Sequence, residues 1–127
     1  MKIYLPPLML MGLIFISSSI PMDKNANVPE FIISLDPTLQ NLLHIPVFGL
    51  LAFLWLKSFT KHSILTPTKV IITLIITILF GCLDEFHQTF VPGRYGSLID
   101  ILLNFVGIFM GILFFSFYRS RKKRNIQ

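Results

Sequence analysis

Four apolar runs, Ile3 to Ile20, Leu39 to Leu56, Ile64 to Leu83 and Leu98 to Phe117, take up most of this 127-residue chain. Each is close to the roughly 20 residues that carry a helix across a bilayer core, where the backbone must satisfy its own hydrogen bonds. The runs therefore predict an all-α fold, an integral membrane bundle of four transmembrane helices. Only 13% of the residues are charged while 54% are hydrophobic, against about 25% charged in a soluble domain. A small soluble enzyme is excluded on that ground, because too little polar sequence exists to cover the apolar surface. Pro46 interrupts the second run and predicts a kink. The first run has a second reading as a cleaved signal peptide, with Lys2 before it and Ser17, Ser18 and Ser19 as small residues near its end. Its length, and the lack of an A-x-A-like site after it, favour a retained span.

The charges are segregated along the chain. Lys2, the connector lysines Lys57, Lys61 and Lys69, and the tail Arg119, Arg121, Lys122, Lys123 and Arg124 form nine cations with no acid among them. All six acids, Asp23, Glu30, Asp36, Asp84, Glu85 and Asp100, fall toward the opposite side with Lys24 and Arg94. The positive-inside rule then places both termini in the cytoplasm and the acidic face outside. The basic tail over residues 119–127 resembles a nucleic-acid signal. Directly after a span, however, it reads as an anchor against anionic headgroups, and no nucleic-acid partner is expected. The outer connector Pro21 to Thr38 carries three prolines and predicts an irregular surface segment able to act as a partial lid. No repeat divides the chain, which reads as one domain over residues 1–127.

Polar residues within the spans follow helical spacing. In the fourth, Ser97, Asp100, Asn104, Gly107 and Gly111 share one face, and in the third Thr73, Thr77, Gly81, Asp84 and Gln88 do the same. A carboxylate facing lipid costs about 2.5–3.5 kcal/mol, so both stripes must look inward. Gly107 and Gly111 form a GxxxG whose expected use is close helix packing. In the second span Asn41, His44, Phe48 and Ala52 make a third stripe. If the third helix continues through Asp84 to Gln88, then Asp84, His87 and Gln88 share a face and Glu85 turns partly away. Pro92 and Gly93 then end that helix in a turn with Arg94 at its tip. Asp84, Glu85, His87, Gln88, Arg94, Asp100, Asn104 and His44 are thus expected to converge at the outer interface.

Three uses suit such a cluster. For catalysis, Asp84 one turn from His87 would transfer protons, with Glu85 and Asp100 beside them, Arg94 on an anionic headgroup and Asn104 positioning the pair. For binding, His44, Gln88, Arg94, Ser97 and Asn104 would hold a lipid-linked precursor or a glycopeptide without turnover. As structure, the same groups would only satisfy one another. His44, Asp84, His87 and Asp100 are metal-ligand types, but H-E-x-x-H is missing and no metal is expected. No cofactor and no oligomeric state is assigned. Cys82 reads as an inert packed thiol and His62 as a solvated residue of the basic connector.

The stretch Asp84 to Gly111 closely resembles the VanZ-like family of small bacterial membrane proteins. An acidic pair (Asp84, Glu85) precedes His87 and Gln88, followed by Pro92, Gly93 and Arg94, then Ser97 and Asp100, and Asn104 and Gly107 in a small-residue helix. His44 corresponds to an upstream family histidine. Phe48 stands where tyrosine is frequent, so this chain lacks that hydroxyl. The resemblance covers Leu39 to Phe115. It implies a multi-pass protein of the bacterial cytoplasmic membrane, in contact with membrane lipids and concerned with the envelope, whose founding relative is linked to lowered teicoplanin susceptibility.

Overall fold

A computed structural model describes residues 2–23 and 36–124. Most of the outer connector expected to form a lid, including Lys24 and Glu30, lies outside the described residues, as does the tail end 125–127. Four helices make up the fold: α1 (Leu5–Ser18), α2 (Pro37–Phe59), α3 (Pro67–Gln88) and α4 (Leu98–Arg124). No strand occurs among the described residues. Helices α2, α3 and α4 are long and apolar enough to cross a membrane.

Helix α1 is shorter than its apolar run suggested. Its 14 residues give about 21 Å of helix against a hydrocarbon core of about 30 Å. Its end has a local cause: the Ser19 hydroxyl donates to the Phe15 carbonyl at 2.6 Å, with Ser18 Oγ 3.0 Å from the same oxygen, and side-chain donors of this kind compete with continuation of the backbone ladder. Helix α2 starts cleanly, with Pro37 in its first turn and Asp36 Oδ1 accepting from the Thr38 and Leu39 amides at 2.7 and 3.2 Å. It runs unbroken through Pro46, whose ring is exposed on its outer surface.

The largest interhelical contact joins α2 to α4, and glycine makes it possible. A Cβ on Gly107 would fall on the Ile45 carbonyl oxygen and one on Gly111 on that of Gly49, while one on Gly49 would lie 2.9 Å from Gly107 O. The GxxxG face thus lets two backbones meet directly, as its spacing predicted. Phe48, Leu51, Ala52, Trp55 and Ile108 form the buried core beside this seam. Only 28–33% of each span is buried, which leaves apolar side chains such as Leu79, Leu83, Phe109 and Phe114 facing outward, as a bilayer requires.

The bundle has two chemically distinct ends. Lys2, Lys57, Lys61, Arg119 and Lys122 surround a groove of about 570 Å³ at one. There Ser58 Oγ donates to Ile3 O at 2.8 Å, Tyr4 packs on Trp55 and Phe59, and Arg119 donates to the Thr60 and Ser63 carbonyls at the end of α2. The carboxylates gather at the other end.

Candidate functional site

Helical spacing delivers the polar groups to that second end. Thr73, Thr77, Gly81, Asp84 and Gln88 of α3 are all buried, and so are Asp100, Asn104, Gly107 and Gly111 of α4. Asp84, Glu85, Asp100 and Asn104 are only 3, 2, 7 and 3% exposed. Burial this deep obliges each to find polar partners.

Two groupings result. In the inner one, His44 Nδ1 lies 2.8 Å from Asn104 Oδ1 and 3.9 Å from Glu85 Oε1, and one ligand-type atom from each of His44, Glu85 and Asp100 lies within 4.8 Å of the other two. Glu85 does not turn away as expected. Helix α4 enters beside it, and Glu85 Oε2 accepts the Ser97 backbone N–H at 3.0 Å. Ser97 is accordingly the N-cap of α4, its Oγ accepting from Asp100 N at 3.3 Å. The S-x-x-D pattern here is a helix-start signal in which Glu85 takes the amide that the third-position acid of a capping box usually takes.

The outer grouping ties α1 to α3. Ser18 Oγ donates to Asp84 Oδ1 at 2.6 Å, and Gln88 Nε2 donates to Asp84 Oδ2 at 3.1 Å and to Glu85 Oε1 at 3.3 Å. His87 Nε2 lies 2.9 Å from Ser19 Oγ, with its ring 4.6 Å from that of Phe15. Asp84 and His87 therefore each take a serine of α1, and among the described residues no hydrogen bond joins them. The acid–base pair expected from their spacing is not assembled.

Arg94 follows a turn in which Gly93 adopts φ +76° and Arg94 N donates to Val91 O at 3.0 Å. A side chain at Gly93 would meet the backbone of Met22 and Asp23, so this position needs glycine for conformation and for space. The guanidinium donates through Nε to Ile20 O at 2.9 Å and through Nη2 to Ser17 O at 3.0 Å. It thus sits on the carbonyl end of α1, where a cation is favoured. Burial pulls its pKa below the ordinary arginine value, and the charges of Asp84 and Glu85 oppose that shift.

Between these contacts lies a cleft of about 350 Å³ bounded by α1, α2 and α3. Leu10, Leu13, Ile14, Val47 and Phe48 line its apolar part, and Gln40, His44, Asp84, Gln88 and Arg94 line its polar part. Sequence reasoning missed Ser18 and Ser19 as partners of Asp84 and His87. The Ser17–Ser19 run was the available signal, since hydroxyls at the end of an apolar helix must bond something. Cys82, expected to be packed, is exposed on the surface of α3; it follows Gly81, which alone takes the inward position. His62 is exposed on the basic connector, as expected.

Apolar outer faces, charge-segregated ends and a buried polar cluster define a helical membrane protein. The chain belongs to the VanZ/LLP1 family, whose model matches residues 3–119. That match reaches beyond the 39–115 stretch carrying the motif resemblance and takes in α1. No curated protein and no solved structure matches the chain.

Proposed function

We propose that the protein holds a lipid or lipid-linked cell-wall component at the outer leaflet of the bacterial cytoplasmic membrane, with both termini in the cytoplasm. The observation that carries this reading is the graded cleft. Its apolar walls suit a hydrocarbon or isoprenoid tail, and its polar end offers Arg94 for a phosphate and Asp84, Gln88 and Gln40 for hydroxyl groups. The basic groove at the opposite end supports the orientation, because cations favour the cytoplasmic side. Binding is preferred to turnover because Asp84 and His87 are held separately by α1. Among family traits, reduced glycopeptide susceptibility fits a protein that sequesters such a precursor or meets the glycopeptide itself.

A second reading treats the polar cluster as a clasp for α1, since Asp84, His87 and Arg94 all bond to that helix. One comparison separates the two. Mass spectrometry would be run on lipids that copurify with wild type and with Asp84→Asn at matched abundance, alongside envelope lipids from the same cells. A species enriched with wild type and lost with the folded variant supports binding and gives its class. Identical copurifying lipids, with only stability reduced in the variant, support the clasp.

A further inference from the structure

We propose that His44, Glu85 and Asp100 form a site for one divalent transition-metal ion. The three come from α2, α3 and the first turn of α4, so the site exists only in the assembled bundle. One ligand-type atom from each already lies within 4.8 Å of the other two. Small side-chain adjustments bring such a triangle to the roughly 2.0–2.2 Å bonds of an ion bound by imidazole and carboxylate.

The donor set supplies a second argument. Asp84, Glu85 and Asp100 are all buried at this end of the bundle. Arg94 directs two of its nitrogens to carbonyls of α1. Two buried carboxyl groups with one imidazole are an oxygen and nitrogen donor set that suits a divalent ion.

The surroundings fit an ion as well. His44 Nδ1 lies 2.8 Å from Asn104 Oδ1, a contact that fixes the ring, and an ion would take the ring's other nitrogen. Asn104 enters the cluster through this oxygen, and its Nδ2 is buried without a hydrogen-bond partner. Glu85 is steadied by the Ser97 amide through its other oxygen. His44 also borders the cleft, which gives an ion a route in.

The test uses full-length protein in detergent, purified without a polyhistidine tag, stripped with chelator and titrated with Mn²⁺ alone. Loss of the free-ion electron paramagnetic resonance signal should give close to one bound ion per chain, and pulsed spectra of that ion should show imidazole nitrogen coupling. Glu85→Gln and Asp100→Asn should each weaken binding at least tenfold. The double variant His62→Gln/His87→Gln, which retains His44 alone, should keep both the ion and the nitrogen coupling. No binding at millimolar Mn²⁺ would overturn the proposal. So would a bound ion without nitrogen coupling in wild type, or loss of that coupling in the double variant.

Discussion

Substituting Gly107 by alanine tests how the fold positions the site. An ideal Cβ there falls on the Ile45 carbonyl oxygen and lies 3.0 Å from both Ile45 C and Cα. Carbon–carbon contacts settle at roughly 3.5–4.0 Å, so the shortfall is about 0.5–1 Å. Every atom it meets is backbone, and no rotamer change relieves the overlap. Helix α2 has to move away from α4. Overpacking of this kind costs about 1–3 kcal/mol, while alanine returns about 1 kcal/mol of helix propensity. The expected net loss is up to about 2 kcal/mol. Because His44 precedes Ile45, the same movement lengthens its 2.8 Å contact with Asn104. Gly12→Ala is the control: a Cβ there has nothing within 4 Å, so only the propensity gain remains. Unfolding of both variants by SDS titration in bicelles, with histidine ring resonances followed by NMR, gives the two readouts. If Gly107→Ala is as stable as Gly12→Ala and leaves the His44 resonances unmoved, the backbone-contact argument is wrong.

Three further predictions follow from other contacts. Arg94→Gln removes two charge-assisted bonds to the end of α1; at a half-buried site this should cost about 1–3 kcal/mol and widen the α1–α3 separation measured between spin labels, whereas an unchanged separation would mean the serine contacts alone hold α1. Phe48→Tyr restores a hydroxyl on a ring whose Cζ lies 3.5 Å from the Cβ position of Gly81, itself 3.1 Å from the orphan Nδ2 of Asn104; pairing that nitrogen should raise stability by about 1 kcal/mol in thermal unfolding, and a lower stability would place the hydroxyl elsewhere. At Asp36, the Leu39 amide and then Thr38 hold the carboxyl below the ordinary aspartate range. A depressed folded pKa contributes stability above the unfolded value that is lost as pH falls through the folded one. The melting temperature of Asp36→Asn, which keeps a capping oxygen, should therefore fall less than that of wild type below about pH 4.

The bundle was legible because lipid and helix impose simple rules. Apolar length marked the spans, and three- and four-residue steps marked the inward faces of α3 and α4 correctly down to Gly107 and Gly111. Contacts across the bundle were less legible, since spacing along one helix does not say which neighbour arrives. Glu85 illustrates this. By α3 periodicity it sits off the Asp84–Gln88 stripe, yet the start of α4 covers it and lends it the Ser97 amide. The Asp84–His87 pairing failed for a related reason: both lie on one helix at favourable spacing, but α1 supplied each with its own hydroxyl.

Helix α1 thereby occupies a special position in the energetics. It is fixed at its basic end by Ser58 and an aromatic group, and at its acidic end by Ser18, Ser19 and the Arg94 guanidinium. Between those points Leu10, Met11 and Ile14 pack against the core, and the cleft opens beside them. A helix of about four turns held at both ends shields the acidic cluster while leaving apolar walls for a guest. The polar bonds that hold α1 use the same residues, Asp84 and Arg94, that a headgroup would address. Occupation of the polar end and release of α1 are therefore thermodynamically linked: any ligand that competes for Asp84 or Arg94 must loosen α1, and loosening α1 must change affinity for that ligand by the same factor. The spin-label distance used for Arg94→Gln, repeated in wild type with and without the copurifying lipid, measures that linkage directly. A distance unaffected by the lipid would mean that the ligand leaves both anchoring groups undisturbed.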